Sequence, residues 1–497
     1  MNLLRWPLYL RACLIASSAG VLFGLDTGSI GPVTSMPVFE DAFGHFSPTM
    51  HGVIVSSLLI TGALAALFAG IFADRYGHVR LIIIGTAVYS IGAAIECSSF
   101  ILGVLVLGRL IKGLGLGLFL SNIYVQTSEL SPRRIRGIMT AVPQFAIASG
   151  IVMGYFICYG CARLQPSSLA WRLPIAIASA LGFGVSVNSC FLPPSPRWLI
   201  RKGRYAEARR VLSILDLDPA EQEELLTECL DVDHVQVTEP TLLQALRETF
   251  REFREAFKPP FRRGTAFGCF IMAFQQFSGI DGVLYYAPIL FTQAGLQGGQ
   301  ATLLASGGTA LVILIVTVPA TLMADRWDRR TSSILGGIGQ ATLMIIIGCM
   351  YAAGLVGDQR NAGTWVVIIS IYVYTFIFNG TWAIAFRTFL VESLPRKTRS
   401  SAASLAQASN WVANYLVALI TPLLLARSTF GAYFLFAGCT IFCTILVIIF
   451  MTETRGHSLE EIERMYLEKS ARRHGTLAQT ELGVLTSQGN ASATDGR

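Results

Sequence analysis

The chain alternates long apolar runs with short charged loops. A run of roughly 20 mostly apolar residues is long enough to cross a bilayer. Twelve such runs lie near 8–30, 51–73, 81–102, 104–127, 139–161, 172–192, 264–291, 301–323, 332–355, 364–391, 401–424 and 430–451. In lipid each must satisfy its own backbone hydrogen bonds, so each predicts a helix. The first begins close to Met1 without a small-residue cleavage site and reads as a retained span. Between runs, the sizeable polar stretch is Pro193–Arg263, where Arg204–Leu215 and Leu242–Phe257 have helical periodicity with charged faces. The expected organisation is a six-helix bundle over 1–192, a cytoplasmic helical linker over 193–263, a second six-helix bundle over 264–451, and a tail over 452–497. The tail opens at His457–Ile462 like a capped helix start, and beyond about Gly475 its Ser/Thr/Gly/Gln-rich composition reads as disorder.

The charged loops repeat. Asp74-Arg75-Tyr76-Gly77 is followed by Glu129-Leu130-Ser131-Pro132-Arg133-Arg134-Ile135-Arg136. Roughly half a chain later, Asp325-Arg326-Trp327-Asp328 is followed by Glu392-Ser393-Leu394-Pro395-Arg396-Lys397-Thr398-Arg399. Repetition in fixed order means two copies of one structural unit. A duplicated bundle with salt-bridged loops on one face is the plan of a transporter that rocks two halves about a central site. On that plan Asp74, Arg75, Glu129, Arg133, Arg136, Asp325, Arg326, Glu392 and Arg399 latch the outward-facing state and release on inward opening.

Composition sharpens this picture. Residues are 53% hydrophobic and 14% charged, whereas a soluble protein carries about 25% charged residues. The net charge of +7 gathers in loops on one side of a twelve-span count. That bias predicts cytoplasmic termini, with the plasma membrane as the expected location. Nothing in it suggests a nucleic-acid partner. The ten cysteines lie mostly in apolar runs and read as small packing residues, so neither a metal nor a disulfide framework is expected. No nucleophile–base pairing points to an enzyme, and no cofactor is expected. Clustered glycines such as Gly108, Gly113, Gly115 and Gly117 predict close helix packing.

A few polar residues inside the runs carry candidate chemistry. Asp26 lies deep in the first run, where a carboxylate costs about 2.5–3.5 kcal/mol and needs a role and a partner. Arg109 in the fourth run is the obvious partner, with Lys112 one turn later. A carboxylate whose proton affinity depends on a nearby arginine is a proton switch; the alternative is a permanent pair locking two helices. Gln275-Gln276-Phe277-Ser278-Gly279-Ile280-Asp281-Gly282 puts paired amides, suited to vicinal hydroxyls, above a Ser-Gly step that loosens the helix. Gln144 and Asn410 offer similar groups, although lone membrane amides also serve as helix-to-helix glue.

Taken together, the repeated loops, Gln-Gln-x-Ser-Gly-Ile, Pro194-Ser195-Pro196-Arg197 and Thr452-Glu453-Thr454-Arg455-Gly456 resemble the motifs of sugar porters of the major facilitator superfamily, fungal members in particular. The resemblance covers essentially the whole chain. It implies an all-α membrane protein with twelve transmembrane helices in two pseudo-symmetric six-helix bundles. It also implies sugar contacts at Gln144, Gln275, Gln276, Asn379 and Asn410, and matches Asp26 and Arg109 to the aspartate–arginine pair of proton-coupled members. The sequence departs from the family pattern at Asp281 (usually Asn), Arg387 (usually Trp), Ile313 (usually an amide) and Pro194 (usually Glu). Arg387 in the cavity would suit the carboxylate of a sugar acid; alternatively it snorkels to the rim or pairs with Asp281. The expected function is proton-coupled uptake of a monosaccharide or sugar acid. The rivals are a passive facilitator, an exporter of a fungal metabolite and a non-transporting sugar sensor.

Overall fold

A computed structural model describes residues 7–215, 222–223, 241–259, 262–296, 298–323, 326–356, 361–394, 398–455 and 461. Asp325, the His457–Ile462 helix start and the tail beyond lie outside these residues, apart from Glu461. Among the described residues the secondary structure is helical throughout. Twelve segments among them are long and apolar enough to cross a membrane.

The first half comprises α1 (Leu8–Thr34), α2 (Pro37–Phe43), α3 (Pro48–Tyr76), α4 (His78–Cys97), α5 (Leu102–Leu130), α6 (Arg136–Cys161) and α7 (Leu169–Ser189). The connecting stretch holds α8 (Pro196–Arg201), α9 (Tyr205–Ile214) and α10 (Leu242–Ala256). Side-chain caps define the starts of α8 and α10: Ser195 accepts from the Trp198 amide, and Thr241 with Gln244 forms a reciprocal capping box. The second half comprises α11 (Arg262–Phe277), α12 (Ile280–Tyr285), α13 (Ala287–Gln293), α14 (Gly299–Leu322), α15 (Arg329–Ala352), α16 (Ala362–Gly380), α17 (Trp382–Ser393), α18 (Arg399–Arg427) and α19 (Gly431–Phe450).

Two spans are broken. The seventh splits at Gly279, whose φ of 90° is a left-handed conformation that favours glycine. The tenth splits at Thr381, and the sequence carried no recognised signal for that break. Tyr374 steadies the first break by donating its hydroxyl to the Ser278 carbonyl at 2.8 Å.

The halves meet along two related seams. Span two (α3) packs on span eleven (α18), and span five (α6) packs on span eight (α14). Exchanging the two copies of the unit exchanges these seams, as a pseudo-two-fold arrangement requires. Within the first half, glycines let backbones touch. A Cβ on Gly24 would lie 2.0 Å from the Ile147 carbonyl, and one on Gly113 would lie 2.2 Å from the Leu58 carbonyl. Cys158 and Cys161, spaced as a C-x-x-C pair on α6, are buried free thiols.

The side away from α8–α10 is closed. Tyr286 donates to the Ala418 carbonyl at 2.6 Å, His51 packs edge-on against its ring, and the Tyr285 carbonyl fills the space beside Gly31. On the other side, α3, α10 and α18 line a cavity of about 280 Å³ that includes Asp74, Glu248, Glu252 and Ser404.

Gly24→Ala forces a methyl into the α6 backbone and should cost about 1–3 kcal/mol or more. Gly184 in α7 has open space beside it, so Gly184→Ala should gain up to about 1 kcal/mol. Melting of the detergent-solubilised chain should therefore move in opposite directions for the two variants. Equal melting temperatures would contradict the packing argument.

Candidate functional site

Asp26 sits on α1 between Gly24 and Gly28, whose missing side chains bring the α6 backbone within contact distance. This close packing excludes water, so the carboxylate must find charge partners within the protein. Arg109 and Lys112 lie on one face of α5 at the i, i+3 spacing that aligns side chains. Lys112 Nζ lies 2.5 Å from Asp26 Oδ1, and Arg109 Nη2 lies 3.6 Å from Asp26 Oδ2. The fourth member is Glu96 in the last turn of α4. Its Oε1 accepts from Arg109 at 3.0 Å, and its Oε2 pairs with Lys112. Arg109 also donates to the Val55 carbonyl at 3.1 Å. Exposures of 5% for Asp26, 1% for Glu96, 1% for Arg109 and 2% for Lys112 make this a dry, charge-balanced quartet.

The expected Asp26–Arg109 pair is thus present but incomplete, because Lys112 is the nearer cation. Sequence reasoning missed Glu96. Its one signal was an acid inside the third apolar run.

A second polar group lies in the second half. Gln275 donates to the Trp382 carbonyl at 2.8 Å, and Asn410 donates to Gln275 Oε1 at 3.0 Å and to the Met272 carbonyl at 2.8 Å. Gln276 donates to Asn410 Oδ1 at 3.3 Å, while its own buried Oε1 has no protein donor among the described residues. That oxygen is an acceptor suited to a hydroxyl. Asn379 turns its amide back to the Thr375 carbonyl at 2.9 Å within its own helix and stays outside this network. Ile313 is buried in an apolar cluster that also takes in Ile147 and Ile151 of α6. Trp411, which the sequence reading did not single out, packs against Phe23 with ring centroids 6.0 Å apart, joining the two halves.

Arg387 reaches the other half. Its guanidinium donates to Gln144 Oε1 at 3.3 Å, and the same oxygen accepts the Tyr124 hydroxyl at 3.0 Å. Arg387, an exposed residue, therefore turns toward α5 and α6. Asp281 lies within electrostatic reach of Arg387 and of the Gln276 amide.

The loop charges have partners close to home. Asp74 pairs with Arg201 of α8 at 3.7 Å, Glu129 with His78 at 3.8 Å, and Arg75 lies over the Tyr76 ring. Arg136 donates to the Ser131 carbonyl at 3.4 Å. Glu392 accepts from Arg329 at 2.9 Å and from Thr454 at 2.5 Å. Glu453 caps α15 by accepting the Arg329 and Arg330 amides, both at 2.9 Å, and Arg455 pairs with Asp328 at 2.8 Å. Arg326 is exposed. The side chains of Arg133 and Arg399 lie outside the described residues. Among the described residues, these pairs stay within one half or run to α8.

Twelve spans in two related halves, the second with two broken spans, have the major facilitator fold. The model of the family "Sugar (and other) transporter" matches residues 12–466. The chain belongs to that family and is a sugar transporter, not an enzyme. It is 30% identical to the glucose transporter GlcP of Staphylococcus epidermidis, over 93% of this chain and 98% of that one. It is 26% identical to the high-affinity glucose transporter of Kluyveromyces lactis, over 91% of this chain and 84% of that one. The inward-open xylose transporter XylE from E. coli superposes with a TM-score of 0.74 at 23% identity, over 92% of this chain and 99% of that one.

Asn410→Ala removes both the donor to Gln275 and the acceptor of Gln276. The sugar KM should rise about tenfold or more, the scale of 1–3 kcal/mol for unpaired buried amides. Uptake kinetics at matched surface expression check this. An unchanged KM with a lower maximal rate would make the network helix glue.

Proposed function

We propose that this protein takes up a monosaccharide or sugar acid together with a proton, by alternating access across the plasma membrane with both termini cytoplasmic. The observation that carries the coupling is the buried Asp26 held by two cations. A carboxylate in such a site changes its proton affinity when its cations move, and α1 also touches α12 and α13 of the opposite half. The energy suffices: about 2.3 kcal/mol per charge per 100 mV, with about 1.4 kcal/mol more per pH unit. XylE, whose fold this chain shares, is described as a proton:xylose symporter. With the side away from α8–α10 closed, the conformation corresponds to the inward-facing state. In that state the loop charges Asp74, Glu129, Glu392 and their partners are released from contacts between the halves.

The substrate binds at Gln144, Gln275, Gln276, Asp281, Arg387 and Asn410, with Asn379 at the edge. Arg387 spends one N–H on a neutral amide and retains others that suit a carboxylate bidentately, which favours a sugar acid such as a uronate.

Uptake of labelled galacturonate, glucose and xylose by hexose-transport-deficient yeast, at pH 5 and pH 7.5, tests this reading. The expected result is stronger uptake at pH 5, loss of galacturonate transport in Arg387→Trp, and retained exchange without accumulation in Asp26→Asn. Uptake indifferent to pH and uncouplers would identify a passive facilitator. Glucose or xylose uptake with galacturonate ignored would remove Arg387 from substrate recognition.

A further inference from the structure

The quartet contains two charges to which the family resemblance gives no role. Lys112 is nearer to Asp26 than Arg109 is, at 2.5 Å against 3.6 Å. Arg109 is committed elsewhere, to Glu96 and the Val55 carbonyl. Glu96 meets both cations, one through each carboxylate oxygen.

We propose that Lys112 is the cation that sets the proton affinity of Asp26, and that Glu96 is a positioning residue, the permanent anion that keeps Arg109 and Lys112 paired when Asp26 is neutral. This inference rests on the proton-coupled reading above and assigns it two further residues.

The charge balance explains why both are needed. With all four groups ionised the quartet is neutral. A proton on Asp26 leaves Glu96 facing two cations, a net single positive charge. Without Glu96 the same step would strand two cations in a water-excluded site with no anion, which is far more costly. Asp26 is the member suited to exchange the proton, because its helix touches the opposite half through α12 and α13. Glu96 sits between helices of its own half, and Arg172 of α7 holds the end of its helix by donating to the Cys97 and Ser99 carbonyls at 2.5 and 2.7 Å.

Among the described residues, the remaining titratable groups around the quartet are three tyrosines and the free thiol of Cys97, which lies within electrostatic reach of Glu96 and Lys112. Tyr89 of α4 lies with its ring 5.8 Å from Lys112 Nζ and donates its hydroxyl to the Leu22 carbonyl. Tyr285 lies within electrostatic reach of Asp26 and Arg109, and Tyr286 within reach of Arg109. None of these phenols, nor the thiol, is charged at neutral pH, so the exchangeable proton of the proposal stays on Asp26.

The test uses the full chain in proteoliposomes containing a pH-sensitive dye, with labelled glucose, xylose and galacturonate as probes. Uptake is measured against external pH. Lys112→Met removes the cation beside Asp26, so the proton is held more tightly and the half-maximal pH should rise by about one unit or more. Glu96→Gln removes an anion from the same cluster, so the half-maximal pH should fall by about one unit or more. The double variant should return towards the wild-type profile, because the two changes of charge cancel. Lys112→Arg, which keeps the cation, should stay near the wild type. A purely structural role would lower yield or rate without shifts of opposite sign. If Glu96→Gln does not fold, Lys112→Met and Lys112→Arg decide the matter: two profiles superposing on the wild type overturn the proposal. Wild-type protein that takes up a probe without proton entry overturns the coupled reading and this inference with it. Wild-type coupling with unshifted variants overturns this inference alone.

Discussion

A carboxylate or ammonium group buried among apolar helices is tolerable only beside its counter-charge. Asp26, Glu96, Arg109 and Lys112 meet that condition together, and three helices are bound by it. α1 supplies Asp26, α4 supplies Glu96, and α5 supplies both cations one turn apart. Rotating any of the three by one residue would leave at least one charge without a partner. The quartet therefore fixes the register of the first half more strictly than apolar contacts do, since lipid tails are as apolar as the helix faces that touch them.

Glycine makes the arrangement possible. Gly24 and Gly28 on α1, and Gly113 on α5, allow backbones to meet where a single methyl would collide. The same close approach removes water from around Asp26, which strengthens every charge contact there. The second half solves a different problem. Its polar centre is built from neutral amides and a broken helix, with Gly279 supplying the turn and Gln275, Gln276 and Asn410 bonding one another below it. One half thus concentrates charge and the other concentrates hydrogen-bonding groups. Trp411 against Phe23 and Arg387 against Gln144 are two of the side-chain contacts that join the halves.

The sugar-transporter family and the inferred coupling rest on different parts of this plan. Family membership follows from motifs spread over the chain and from the matched fold. The proposed proton coupling and substrate choice rest on single side chains; the pattern that the resemblance implies is kept at Asp26 and Arg109 and left at Arg387. Arg387 places a guanidinium where the resemblance implies an indole, and its bond to Gln144 bridges the halves.

Much of the architecture was legible in the linear sequence. Twelve apolar runs specify twelve helices because lipid leaves a backbone no other partner. The repeated charged loops mark duplication because a repeated unit keeps its order. The seventh-span break was readable too, since Ser278-Gly279 supplies a residue that tolerates positive φ. Asp26 and Arg109 stood out as charges inside apolar runs. Which charges pair was not legible, because pairing depends on helix rotation and crossing, which sequence spacing does not encode between distant helices. That is why Glu96 went unnoticed and Lys112 was noted only as lying one turn from Arg109, until folding placed Glu96 against both cations and Lys112 against both carboxylates. The loop charges behaved alike: Glu392 was visible as a latch candidate, but its partners Arg329 and Thr454 come from other parts of the chain. The chain alone determined which segments are buried in lipid; only tertiary packing decided which polar groups face one another there.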